Sequence, residues 1–149
     1  MKNKNKIISI IILIILLAIL FYFFKCSKKE ESIIDAKPKI AYTEQGSTTL
    51  EEGPISLKIW DNNAEDGDTV KVYVDDQLLR DTIALRNQPL DLDLGKLDKG
   101  EHVLGVVAIS EGTTSPASAS MSLDNGKEKK EFEMDATIEK PSSWKILIK

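Results

Sequence analysis

The chain has 149 residues, 42% of them hydrophobic and 30% charged, with a formal net charge of −4. Six of the 20 basic residues (Lys2, Lys4, Lys6, Lys25, Lys28 and Lys29) precede Glu30, and all 24 acidic residues lie from Glu30 onward, so that portion carries −10. A surface this negative repels phosphate backbones and argues against nucleic acid as a partner, while metal ions and cationic surfaces stay compatible with it.

Residues 7–24, IISIIILIILLAILFYFF, are apolar except for Ser9. As a helix they would span roughly 27 Å, close to a hydrocarbon core of about 30 Å. Phe21, Tyr22, Phe23 and Phe24 would sit at the outer interface, where aromatic rings are favoured. The stretch is longer than a signal-peptide core and lacks a small-x-small cleavage site. The sequence therefore predicts an uncleaved, single-pass signal anchor. Lys2, Lys4 and Lys6 favour a cytoplasmic tail over residues 1–6, with everything after the anchor periplasmic or extracellular. Cys26 is the one cysteine, so the domain that follows is expected to use no internal disulfide. Lys25 and Phe24 stand where lipoprotein processing needs small and aliphatic residues, so Cys26 reads as a lone thiol at the membrane surface, with an intermolecular disulfide across a dimer as the alternative.

Residues 25–53 are polar, of mixed charge, and contain Pro38, Gly46 and Gly53. They read as a stalk, with a short edge strand near Ile40–Thr43. From Pro54 the pattern turns to period two. Ile55, Leu57 and Ile59 alternate with polar residues, as do Val70, Val72 and Val74, then Leu90, Leu92 and Leu94. Leu78 to Leu85 makes a further strand. The segment from Val103 to Ile109 is apolar on both faces, as in a central strand. Ala117, Ala119, Met121 and Leu123 alternate with serines, Phe132, Met134, Ala136 and Ile138 with acidic residues and Thr137, and Trp144, Ile146 and Ile148 close the series. Alternation means one buried and one wet face. The intervening Asp66-Gly67, Asp75-Asp76, Lys99-Gly100, Asp124-Asn125-Gly126 and Pro141 are turn chemistry. The expectation is an all-β domain over residues 54–149, a single antiparallel β-sandwich of about eight strands, immunoglobulin-like or jelly-roll.

The densest polar segment is Asp61-Asn62-Asn63-Ala64-Glu65-Asp66-Gly67-Asp68, between two expected strands. Hard cations such as calcium want six to eight oxygens from a short loop, and Asp61, Asn63, Glu65, Asp66 and Asp68 supply that ligand type. The EF-hand pattern fails, because the glycine comes one residue late and Val72 stands where the closing glutamate belongs. A capped turn around Gly67 explains the same residues without a metal. No other cofactor is indicated.

Catalytic arrangements are weak. His102 is the single histidine, too few for a common zinc site without thiolates, and no Gly-x-Ser-x-Gly elbow occurs. Paired carboxylates of a hydrolase would show as a groove with two acids about 5–10 Å apart. Asp91 and Asp93 read instead as a solvated strand face, and Trp144 and Trp60 as core. The expectation is a non-enzymatic binding or structural module of the cell envelope, acting on a protein or polymer partner, with a calcium-dependent binding or adhesion domain using the 61–68 loop as the first alternative and an envelope hydrolase with paired carboxylates as the second.

Two runs carry a resemblance. Asp61 and Asn62 end one strand and Asp66-Gly67-Asp68-Thr69-Val70 opens the next; Ala108, Glu111, Gly112 and Pro116 then mark a crossover before the alanine-rich strand of Ala117 and Ala119. Over roughly residues 53–149 this resembles a small exported β-sandwich module of Bacteroidota-type envelope proteins. The resemblance implies an exported sandwich and no sharper activity. Asp75-Asp76 departs from that module's Asn-Gly hairpin.

Overall fold

The computed structural model describes residues 39–63 and 65–149. The expected anchor over 7–24, the cytoplasmic tail and Cys26 lie outside the described residues, and among those described no helix is long and apolar enough to cross a membrane.

Among the described residues nine strands form two sheets. They are β1 (Thr43–Leu50), β2 (Pro54–Trp60), β3 (Asp68–Val74), β4 (Gln77–Ala84), β5 (Leu90–Lys96), β6 (Gly100–Glu111), β7 (Ala117–Asp124), β8 (Lys129–Ala136) and β9 (Ser142–Ile148). One sheet runs β1-β9-β6-β3-β4 and the other β5-β2-β7-β8. The fold is all-β and sandwich-like, as the alternation predicts. Ile55, Leu57, Ile59, Val70, Val72, Ala117, Ala119, Met121, Leu123, Met134, Ile146 and Ile148 are all buried in one core cluster. These are the inward positions of the period-two runs, and their burial is the main stabilising term.

Two expectations need correction. Residues 43–50 are not stalk: they form β1, which pairs in parallel with β9 from Thr43↔Ser142 to Leu50↔Ile148. The pairing is thus not wholly antiparallel. The run TEQGSTTL has one apolar residue, Leu50, which is fully buried; backbone hydrogen bonds to β9, not an apolar stripe, hold the rest of this edge strand. Nor is β6 buried on both faces. It sits mid-sheet between β9 and β3, with Leu104, Val106 and Ala108 buried, Val103 and Val107 half-buried and Ile109 exposed. The outward face at Gly105 is covered by Tyr42, whose ring lies where a Cβ would be. Gly105→Ala is therefore expected to displace Tyr42 and destabilise the domain by about 1–3 kcal/mol, read from urea unfolding.

Trp144 stacks on Phe132 at 4.4 Å between centroids, joining the two sheets. Asp91, on the wet face, pairs with Lys58 across β2 and β5, an exposed contact worth little. The β3–β4 hairpin turns on Asp75 and Asp76, both at positive φ (50° and 61°). That is the primed turn a two-residue hairpin needs, achieved here without glycine.

Asp75 also organises the start of β6. Its Oδ1 accepts from Val103 N–H at 2.8 Å, and its Oδ2 lies 2.7 Å from His102 Nδ1. His102 Nε2 lies 2.8 Å from the Asp98 carbonyl oxygen. Its side chain is only 14% exposed, so it is not the surface residue its turn position suggests. Both partners are acceptors, and both ring nitrogens donate only in the imidazolium form. Burial alone would lower the pKa; the hydrogen bonds to Asp75 and to Asp98 outweigh it, and the pKa is raised above 6.5. The stability this gives is fully present below the unfolded value of 6.5 and is lost as pH rises through the folded value. Melting from acid to alkaline pH should therefore show a fall in wild-type stability as pH rises above 6.5 that His102→Gln lacks. Parallel curves for the two proteins would refute it.

Candidate cation site

Four connections cross between the sheets at one end of the domain: β2–β3, β4–β5, β6–β7 and β8–β9. The first three build the site. The β2–β3 loop, which carries the acidic run, is pinned on one side to the β4–β5 loop. Asp61 N–H donates to the Arg86 carbonyl at 2.8 Å. The Asn87 amide, in the orientation that satisfies its neighbours, donates to the carbonyls of Asn63 and Asp61 at 2.8 and 3.0 Å. Glu65 accepts from Asn87 N–H at 2.8 Å and from Arg86 Nη1 at 3.1 Å. These bonds hold the Glu65 carboxyl below the usual carboxylate range.

On the other side the loop is pinned to the β6–β7 loop. Asp66 Oδ2 accepts from Thr113 N–H, Thr113 Oγ1 and Thr114 N–H at 3.2, 3.3 and 2.9 Å. Asp68 Oδ2 accepts from Ser118 N–H at 3.0 Å. Asp61 Oδ1 takes Asn63 N–H at 2.7 Å, an Asx-type turn. Gly112 is needed for this docking, because a Cβ there would overlap the Asp66 carboxylate. Glu111 fixes the far side of the loop through Ser115 Oγ and Ile138 N–H.

The outcome is that Asp61, Asp66 and Asp68 each place an oxygen within 4.8 Å of the others. Asp61 and Asp68 are 3% and 5% exposed. One oxygen of Asp66 and one of Asp68 are buried and have no hydrogen-bond partner among the described residues. The three acids, Asn63, the stretch Thr113–Pro116 and Ser118 line a cleft of about 310 Å³, and none of these residues is basic. Burial, together with the charges of Asp66 and Asp61, raises the Asp68 pKa against the lowering effect of Ser118 N–H. At this spacing each fully ionised pair repels by on the order of 3 kcal/mol at an effective dielectric of 20.

Of the five residues that the sequence offers as ligands, the structure brings three together. Asn63 stands at the cleft wall, and Glu65 is committed to the β4–β5 loop. The contribution of the Thr113–Ser118 segment was not legible in sequence, since its role rests on backbone N–H groups that any residue type supplies.

No protein-family model, curated protein or solved structure matches the chain.

Proposed function

We propose that this protein is a membrane-tethered, extracytoplasmic binding module of the cell envelope whose crossover end holds a divalent cation of the calcium class. The observation that carries the cation is the buried Asp68 with an unpartnered oxygen, beside two further carboxylates. Buried polar oxygens are normally paired, and three crowded carboxylates are tolerated best when a cation neutralises them. All the candidate donors are oxygens, which suits hard ions and not thiolate- or imidazole-seeking metals. The tether rests on residues 7–24 and their flanking lysines, and an envelope location agrees with the resemblance to exported Bacteroidota-type modules.

The same acids fit a hydrolase less well. General acid and base must flank a scissile bond from two sides, about 5–10 Å apart, whereas these converge on one point. Within the sandwich class the immunoglobulin-like reading is favoured over the jelly-roll. The order β4-β3-β6-β9 parallels the extended GFC sheet of variable-type domains, with the β7–β8 hairpin placed between its last two strands.

Calorimetric titration of the full chain in detergent with calcium tests the cation. One ion per chain is expected, lost in the triple variant Asp61→Asn, Asp66→Asn, Asp68→Asn. Wild type that takes up no ion while remaining folded overturns the reading. Protease added outside intact cells should digest residues beyond the anchor once any outer barrier is opened; full protection would refute the topology.

A further inference from the structure

The three carboxylates are bonded on one side only. Each has one oxygen fixed by a backbone N–H: Asp61 by Asn63, Asp66 by Thr113 and Thr114, Asp68 by Ser118. The unpartnered oxygens of Asp66 and Asp68 belong to side chains that wall the cleft. If the cation is held as proposed above, on which this inference rests, three such donors fill three of its six to eight positions. The others fall to the cleft. Its volume, about 310 Å³, is at the lower end of small-ligand sites, and it would hold about ten waters at roughly 30 Å³ each. That is more room than a hydration shell needs.

The chemistry of the walls selects the ligand. Three carboxylates and a divalent ion leave one negative charge, in a portion of the chain that already carries −10. Among the described residues no basic side chain lines the cleft. An anionic ligand would be repelled and left without a cationic partner. Neutral oxygens meet no such penalty. Of the wall hydroxyls, that of Thr113 is bonded to Asp66, that of Ser115 to Glu111 and that of Ser118 to Asp135, which leaves the Thr114 hydroxyl without a partner among the described residues; Pro116 adds one compact apolar face. Two adjacent hydroxyls can replace two neighbouring waters on the ion while donating hydrogen bonds to its carboxylates. We infer that the cation presents open positions to a vicinal diol, and that the partner read by this end of the domain is a neutral glycan.

Terbium is the probe, bound to the full chain in a sugar-free zwitterionic detergent. Its luminescence lifetimes in light and heavy water count the waters on the ion. The expected result is at least two bound waters, falling by about two when methyl mannoside or methyl galactoside is added. Thr114→Val keeps the backbone donor to Asp66 and should weaken the glycoside several-fold, and by more than it weakens terbium. Terbium that does not bind, or that calcium does not displace, overturns the cation reading itself. Terbium bound with at most one water marks a closed structural ion and overturns the diol alone. Open positions that acetate fills and neither glycoside does overturn it in favour of an acidic partner, and open positions that none of them fills overturn it outright.

Discussion

Removal of Trp144–Lys149 is expected to abolish the cooperative unfolding transition. The segment is most of β9, which lies between β1 and β6 and pairs with both. Its loss strips hydrogen-bond partners from two strands at once. It also empties the positions of Ile146 and Ile148, 0% and 3% exposed, and takes away the ring that stacks on Phe132. Truncating a buried isoleucine to alanine alone costs about 2–5 kcal/mol, against a total of about 5–15 kcal/mol for a whole domain. Two such losses, with a cavity and two unpaired ladders, exceed that reserve. Circular dichroism through a thermal ramp checks it: the shortened protein should show no sigmoidal transition. A sharp transition at the wild-type temperature would contradict the central placing of β9.

Calcium at 100 times its dissociation constant should stabilise the wild-type domain by about 2.7 kcal/mol. For a domain of this size that is a rise of roughly 10 °C in melting temperature. Two substitutions at one position separate the charge of Asp68 from its hydrogen bond. Asp68→Asn keeps an acceptor for Ser118 N–H and removes the charge, so the calcium response should vanish. Its metal-free stability near neutral pH should meanwhile equal or exceed that of wild type. The sign follows from the raised pKa: what the protonated carboxyl contributes to stability is present below its unfolded pKa of 3.8 and lost as pH rises through the higher folded value. The asparagine does not ionise and loses nothing. Asp68→Ala removes the acceptor as well and leaves the part-buried Ser118 N–H without that partner, a cost of about 1 kcal/mol. Differential scanning fluorimetry with calcium and then with chelator reads all three proteins. Identical wild-type curves in the two conditions, or a calcium shift that survives Asp68→Asn, would sink the site.

Much of the sheet architecture is legible in the sequence because the core faces of β2, β3, β7, β8 and β9 follow period two without interruption. Leu57, Val72, Met121, Met134 and Ile146 are inward for that reason alone. The pattern fails where burial is not what makes the strand. In β1 the pairing surface is the backbone, so Gln45, Gly46 and Ser47 carry no trace of it. In β6 both faces are apolar in sequence, yet Val103, Val107 and Ile109 on the outward face stay partly wet, while Gly105 is covered by Tyr42 from a segment distant in sequence. The site divides in the same way. Asp61, Asp66 and Asp68 can be picked from ligand chemistry within one loop. That Glu65 would leave them for Arg86 and Asn87 depends on which loops share an end of the fold, and local sequence does not encode that. The β6–β7 loop contributes through N–H groups and through the missing side chain of Gly112, neither of which advertises a ligand.

The parallel pairing of β1 with β9 has a mechanical consequence. β1 begins beside the start of β9 and ends beside its finish. Tension drawn along the chain, entering before Thr43 and leaving after Ile148, pulls the two strands lengthwise past each other in opposite directions. The bonds of the ladder then bear load together, in shear, whereas those of a hairpin pulled from its open end break singly, in succession. A domain held by one terminus and tugged through the other would give way abruptly, at a force set by the whole β1–β9 seam.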